Sequence, residues 1–164
     1  MTVLVTAASK HGATLEIGEA IARALDEHDV SAEFVGIDDV TDLGPYEAVV
    51  LGSAVYMGHW VEPARKFVER FGGDLAERKT WLFSSGPVGD AARAPEEAVK
   101  VDDIIAATKA SEHRLFAGKF DKSKFSFPER AIMRAVGAKE GDYRDWDEID
   151  RWAAEIAEQV RRRP

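Results

Sequence analysis

The sequence predicts an α/β fold, a doubly wound, five-stranded parallel sheet with strand order 2-1-3-4-5 and helices on both faces. Short β-branched, apolar runs alternate with longer segments whose apolar residues recur at helical spacing. The strand runs are almost continuously apolar, which is typical of parallel strands buried on both faces. The chain has 164 residues, of which 45% are hydrophobic. We therefore expect a single domain over residues 1–164 with a sizeable core.

The elements follow one another in βαβ order, which implies right-handed crossovers between parallel strands. Strands are predicted at residues 2–7, 31–37, 47–53, 79–85 and 112–117. Helices are predicted at residues 14–28, 62–71, 95–109 and 145–163. The pair Gly72-Gly73 is expected to end the second helix, because glycine is common just past a helix end.

Composition narrows the possible functions. The formal charge is −8, and an acidic chain is a poor non-specific ligand for nucleic acid, so we expect none to bind. The chain has no cysteine, which excludes disulfides, thiolate nucleophiles and Fe–S clusters, so that redox chemistry would need a bound cofactor. No apolar run is long enough to predict a transmembrane segment. No spacing of His or carboxylates predicts a metal site. We expect a cytoplasmic protein.

The loop after the first strand is a candidate anion site, since ligands of open α/β sheets bind beyond the carboxyl ends of the strands. Hydroxyls at both ends of this loop precede a helix N-terminus, which favours an anion, and its glycine allows close approach of the backbone. Neither GxxxxGK[ST] nor GxGxxG is present, so a mononucleotide phosphate fits best. The alternative is an ordinary turn with Thr14 as the N-cap. The loop residues are Ser9, Lys10, His11, Gly12, Ala13 and Thr14.

Two further loops offer walls for a planar ring. The loop after the third strand is rich in aromatic residues, Met and Gly, and can lay a flat face on a ring. The loop after the fourth strand is small and polar, and its backbone can reach the edge of a heterocycle. Packing at the rim of the sheet is the alternative for the loop after the third strand, and an ordinary turn is the alternative for the loop after the fourth. The residues are Ala54, Val55, Tyr56, Met57 and Gly58, and Ser85, Gly86, Pro87, Val88 and Gly89. Together the three loops match what FMN needs.

His59 is the candidate catalytic residue, because an unperturbed His titrates near pH 6.5 and could take a substrate proton while a flavin takes a hydride. A backbone hydrogen bond at the start of a helix is the alternative role. The segment 119–143 is longer than the usual connection of about 4–6 residues. It contains a short amphipathic helix that ends near Gly137. Its apolar residues, which either wall a substrate pocket or pack on the rim, are Phe120, Phe125, Phe127, Ile132 and Met133.

The loop of residues 9–14 resembles the phosphate loop of flavodoxins. The stretch Met57-Gly58-His59-Trp60, the insertion 119–143 and the stretch Tyr143-Arg144-Asp145-Trp146 are similar to the menaquinone-dependent protoporphyrinogen oxidase branch of flavodoxin-like proteins. The resemblance implies non-covalent FMN, with residues 9–14 on the phosphate and residues 54–58 and 85–89 flanking the ring. Some flavodoxin-like proteins use a deazaflavin instead, so the ring stays open.

These features predict an FMN-dependent oxidoreductase. It would move electrons or hydride between a small reduced substrate, porphyrinogen- or quinol-like, and an acceptor such as a quinone. The alternative is a flavodoxin-type electron carrier whose partner is another redox protein. A module that has lost the flavin is disfavoured by the complete phosphate loop.

Overall fold

The structure, a computed structural model, describes residues 2–86, 99–135 and 137–162. The strands are β1 (Val3–Ala8), β2 (Ala32–Phe34), β3 (Ala48–Tyr56), β4 (His59–Trp60), β5 (Lys79–Ser85), β6 (Glu112–Phe116), β7 (Lys119–Phe120) and β8 (Gly141–Asp142). The helices are α1 (Ala13–Glu27), α2 (Glu62–Ala76), α3 (Asp102–Thr108), α4 (Phe127–Ala135) and α5 (Trp146–Arg161). No helix within these ranges is long and apolar enough to cross a bilayer.

The main sheet confirms the predicted fold class. Its parallel strands lie in the order β2-β1-β3-β5-β6, which is the predicted order 2-1-3-4-5 once the short β4 is set aside. β1 is buried along its whole length, as expected of a strand with neighbours on both sides and helices on both faces. Chain order reverses beside β1, because β2 lies on one side of it and β3 on the other.

Each face of the sheet carries its own core. On one face α1 and α5 cover alternate residues of the strands, and the rings of Phe83, Phe116 and Trp152 meet with centroids 5.4–6.1 Å apart. On the other face α2 and α3 cover the intervening residues. The indole of Trp60 is fully buried there and donates to Ser84 Oγ at 2.8 Å, so this indole has both an apolar environment and a polar partner.

The third strand continues beyond its predicted end at residue 53 and turns back on itself. β3 runs to Tyr56 and pairs antiparallel with β4 through the register Tyr56↔His59. The two turn residues, Met57 and Gly58, have φ of 52° and 82°. A two-residue hairpin loop of this kind needs positive φ at both positions. The region predicted as an open loop is therefore a hairpin.

The second helix is longer than predicted. It passes through Gly72-Gly73 and ends at Ala76, so the prediction that these glycines end it is wrong. Leu75 is fully buried against the sheet, and burial of that side chain outweighs the low helix propensity of two glycines. In the third helical segment, residues 95–98 lie outside the described residues and α3 begins only at Asp102.

The insertion 119–143 is a small unit of its own. Its ends pair as the antiparallel ladder β7–β8, and α4 lies between them. Gly137, at φ 74°, follows α4 as predicted. The backbone N–H of Tyr143 donates to Gly118 O at 3.0 Å, which ties the returning chain to the end of β6.

We expect Gly52→Ala to destabilise the protein by about 1–3 kcal/mol or more, because overpacking in a rigid core strains its neighbours. A Cβ at Gly52 would lie 2.1 Å from Phe83 Cζ, and Phe83 is fully buried. The control is Gly73→Ala in α2, where a Cβ would meet nothing within 4 Å and should stabilise by about 0.5–1 kcal/mol. Urea unfolding followed by tryptophan fluorescence measures both. Equal midpoints for the two variants would contradict the prediction.

Candidate functional site

A cavity of about 400 Å³ opens at the carboxyl ends of β1, β3 and β5, which is the size of a small-molecule site. It lies where the chain order reverses, as expected for an open α/β sheet. Residues from all three predicted loops line it, namely Ser9, Lys10, His11, Ala13, Thr14, Ala54, Val55, Tyr56, Met57, Gly58, Ser85 and Gly86. Pro87, Val88 and Gly89 lie outside the described residues.

The loop after β1 presents the N-terminus of α1 to this cavity. Gly12 is the N-cap, with φ 92°, a conformation that favours glycine. Its N–H donates to Ser9 Oγ at 2.9 Å, so the Ser9 hydroxyl closes the turn. Thr14 lies inside the first turn of α1 and is almost fully buried, so the alternative interpretation of Thr14 as the N-cap is wrong. The remaining first-turn N–H groups have no partners inside a helix and carry its positive dipole end.

Two further segments line the cavity beyond this loop. The hairpin contributes Tyr56 and Met57, and Met57 is 73% exposed. The end of β5 contributes backbone at Gly86, which has φ 99° and whose N–H donates to Phe116 O at 3.0 Å. A Cβ at Gly118 would lie 3.1 Å from the backbone of Gly86. The hairpin therefore lines the cavity with side chains, one flat and one flexible, whereas the end of β5 lines it with backbone polar groups.

The insertion supplies a further wall. Phe125, Ile132 and Met133 line the cavity, as the pocket-wall interpretation predicts for them. Phe120 is buried and contacts the Phe125 ring at a centroid distance of 4.7 Å. Phe127 is 84% exposed and does not contribute. Some apolar residues of the insertion therefore line the cavity, while Phe120 packs inside the protein.

Comparison with known proteins identifies the family. The sequence profile of a family described as "Flavodoxin domain" matches residues 4–147. The chain belongs to this flavodoxin-domain family. A search of curated proteins gives no match.

Solved flavodoxin structures superpose on the whole chain. A flavodoxin from the domain Archaea gives a TM-score of 0.66 at 18% identity, covering 99% of this chain and all of that one. Oxidised flavodoxin 1 from Bacillus cereus gives 0.65 at 19% identity, with 96% and 98% coverage. Rubredoxin oxygen:oxidoreductase from Desulfovibrio gigas gives 0.64 at 10% identity, covering 97% of this chain and 36% of that one. At these identities the likeness shows the flavodoxin-like fold.

The cavity of this flavodoxin domain also contains a carboxylate that no sequence motif indicates, Glu129 on α4. Its Oε2 lies 2.9 Å from Lys10 Nζ and 3.0 Å from His11 Nε2, while Oε1 accepts from the Ser126 N–H at 2.9 Å. Burial acts to raise the pKa of this carboxyl, but the hydrogen bonds from Ser126, Lys10 and His11 outweigh burial and lower it to about 2. An ionised carboxylate therefore sits between the insertion and the phosphate loop.

Two ring contacts reinforce this junction. The His11 ring stacks on Phe125 at a centroid distance of 4.1 Å. The ammonium of Lys10 lies 4.8 Å from the centre of the Tyr56 ring, close enough for a cation–π attraction. Lys10 and His11 thereby link the loop, the hairpin and the insertion of the flavodoxin domain.

Arg144 fastens the other end of the insertion to α1. Its guanidinium pairs with Asp142 at 2.7 Å and donates to Ala13 O at 3.2 Å. It also lies over the Trp146 ring at 4.6 Å. The bond to Asp142 raises the pKa of Arg144, so this guanidinium is a permanent charge at the start of α1.

The structure does not bring His59 to the wall of the cavity. His59 is exposed on the hairpin opposite Tyr56 and is absent from the residues that line the described part of the cavity.

We expect Glu129→Gln to destabilise the flavodoxin domain in a pH-dependent way. A carboxyl whose pKa falls from 4.5 to about 2 on folding contributes stability that is fully present above pH 4.5 and is lost as the pH falls towards 2. The difference in unfolding free energy between wild type and variant should therefore be largest at pH 5–7 and shrink towards pH 2.

Urea unfolding at pH 7, 5, 4 and 3 measures this difference. The control is Glu27→Gln at the exposed end of α1, which should change stability little at any pH. A difference for Glu129→Gln that stays constant from pH 7 to pH 3 would refute the prediction.

Proposed function

We propose that this flavodoxin domain binds FMN non-covalently in the cavity and acts as an FMN-dependent oxidoreductase in the cytoplasm. One observation carries the proposal. A single cavity of about 400 Å³ at the switch point of the sheet is lined by the loop at the N-terminus of α1, by the hairpin after β3 and by the end of β5, which are the three loops that a mononucleotide with a flat ring would contact.

The phosphate end of the cavity fits a phosphate monoester. Gly12 holds the left-handed turn that aims successive N–H groups outward, and the dipole of α1 favours an anion there. Thr14 contributes a hydroxyl and Lys10 an ammonium at the same end. Such backbone and hydroxyl groups can donate hydrogen bonds to a phosphate even on a chain whose net charge is −8.

The ring end fits a flat heterocycle. Val55, Tyr56 and Met57 would flank one side, and Ser85 and Gly86, continued by residues 87–89, the other. Bound FMN would supply one- and two-electron redox chemistry. The residues of this chain would hold it, shield it from water and decide which molecules reach it.

The insertion supports an enzyme rather than a carrier. Phe125, Ile132 and Met133 face the same cavity as the ring walls, and apolar side chains there would bind an apolar partner molecule. The substrate class we propose is a small reduced porphyrinogen- or quinol-like compound with a quinone as acceptor, in line with the resemblance of residues 57–60 to the protoporphyrinogen oxidase branch. His59 would accept a substrate proton at the outer edge of the hairpin.

A flavodoxin-type electron carrier is the second candidate, and one observation favours it. Met57 is 73% exposed on the hairpin that borders the cavity. An exposed, flexible apolar side chain beside a redox centre is suited to docking another redox protein. In that case the insertion would only shield the cofactor.

We expect the purified protein to bind FMN, or failing that a deazaflavin, at about one molecule per chain. Thr14→Val should weaken FMN by about 1.5–3 kcal/mol while leaving riboflavin unchanged, because only FMN carries the phosphate that this hydroxyl would meet. Calorimetric titration of both ligands measures the effect. Absence of flavin and deazaflavin binding would overturn the proposed function. An equal loss for FMN and riboflavin would show that Thr14 does not contact the phosphate.

We expect the double variant Ile132→Ala, Met133→Ala to raise KM for a bulky apolar quinone at least about tenfold, because each lost methylene contact costs about 0.8 kcal/mol and the loss of two already amounts to roughly tenfold. Turnover per bound flavin with ferricyanide, a small polar acceptor, should not change. Phe127→Ala is the control, since its side chain lies on the exposed side of the same helix. Unchanged kinetics with both acceptors would favour the electron carrier.

A further inference from the structure

The phosphate loop already holds an anion from the protein itself. The only carboxylate oxygen recorded within 4 Å of both Lys10 Nζ and His11 Nε2 in the described residues is Glu129 Oε2. This contact joins residues 118 positions apart, from the two segments that border the cavity. The cationic side of the predicted phosphate site is thus occupied by an acidic side chain.

We propose that the Glu129 carboxylate is an internal competitor for the phosphate of the ligand, which must displace Glu129 Oε2 from Lys10 and His11 in order to bind. Glu129 is on this view a specificity-determining residue, because it acts against ligands that carry a phosphate and not against those that lack one. The identity of the ligand as FMN rests on the proposed function. The competition itself requires only a phosphate monoester.

The two oxygens of Glu129 have separate tasks. Oε1 accepts the Ser126 N–H at 2.9 Å, and the Ser126 hydroxyl faces the Glu129 N–H at 3.4 Å, which is the reciprocal capping box of a helix N-terminus. Oε2 is left for Lys10 and His11. The helix start therefore does not depend on the contact with the phosphate loop, and that contact can break while α4 stays intact.

Charge makes the carboxylate and a phosphate rivals. Glu129 is ionised at neutral pH and largely buried, with a side chain 9% exposed. A phosphate monoester carries a charge of about −1.5 to −2 at pH 7. Two anions at one pair of donors repel each other. Lys10, half-exposed and on a flexible stem, can follow either anion but cannot fully neutralise both.

Displacement of Glu129 would also affect the apolar side chains of α4 that line the cavity. Glu129 shares α4 with Ile132 and Met133, and all three line the cavity. A ligand with a phosphate would loosen α4 from the loop, whereas the same ring without a phosphate would leave it fastened. The phosphate end and the apolar wall are in this way coupled through one side chain.

The test compares FMN with riboflavin by calorimetric titration of wild type and Glu129→Gln. Gln keeps the capping box and removes the charge. We expect the variant to bind FMN at least about tenfold more tightly than wild type, with riboflavin affinity unchanged. The matched control is Glu16→Gln, which removes a charge from the first turn of α1 that pairs with Arg144 at 3.4 Å rather than with Lys10 or His11. It should give a clearly smaller gain.

A second measurement uses the wild-type protein and does not depend on how well a variant folds. The 13C resonance of the Glu129 carboxyl should shift on addition of FMN or of inorganic phosphate and stay in place with riboflavin. No shift with either phosphate probe at saturation would overturn the inference.

The outcomes separate this inference from the proposed function. Tighter binding of inorganic phosphate by Glu129→Gln, with no flavin bound by either protein, would sustain the competition and refute FMN binding. Equal FMN affinity in both proteins would refute the competition and leave FMN binding standing. Weaker FMN binding by the variant would also refute it, because Glu129 would then orient Lys10 and His11 for the phosphate.

Discussion

Reversal of the chain order beside β1 is the constraint on which the rest of this structure depends. β1 pairs with β2 on one side and with β3 on the other. The connection after β1 therefore leads to α1 on one face of the sheet, and the connection after β3 leads to α2 on the other face. A crevice opens at the carboxyl ends of the strands, where these two connections diverge. The position of the cavity, with the N-terminus of α1 at its edge, is a consequence of this arrangement.

The insertion changes the electrostatics of that crevice. The whole chain has a net charge of −8, but residues 119–143 contain six Lys and Arg against four Asp and Glu. One of the four, Glu129, is turned inward onto Lys10 and His11, and another, Asp142, is paired with Arg144. An acidic protein therefore carries a basic segment beside the proposed anion site, where the local charge matters more than the total.

The strand order and the three loops could be predicted because they depend on patterns within short stretches. Apolar runs such as residues 2–7 predict buried strands, and their alternation with helices predicts the sheet. The end of α2 could not be predicted, because burial of Leu75 is a tertiary effect that outweighs the low helix propensity of two glycines. The hairpin after β3 could not be predicted either, because Met57 is an unusual residue at positive φ.

Glu129 could not be assigned a role for a related reason. The sequence Ser126-Phe127-Pro128-Glu129 fits a capping box, so the start of α4 could be predicted from it. The partners of its second oxygen lie 118 residues away, and no local pattern encodes such a contact. The hairpin also fixes the position of His59, which pairs with Tyr56 in the register of β3 and β4, a placement that the local sequence does not specify.

The two sides of the cavity differ in how they are held, and this difference bears on function. The backbones of Gly86 and Gly118 pack closely, and a Cβ at Gly118 would lie 3.1 Å from the Gly86 backbone. The insertion is instead fastened by polar contacts, from Glu129 to the loop and from Arg144 to Ala13 O. Closely packed backbone leaves little room for movement. The polar contacts of the insertion, in contrast, can exchange partners when a competing ion binds. The loops that would hold a cofactor belong to the fold, and the adjustable wall belongs to the insertion. Under the proposed function, the choice between a small substrate and a redox protein would therefore depend on the insertion that carries α4, because one fold supports either function.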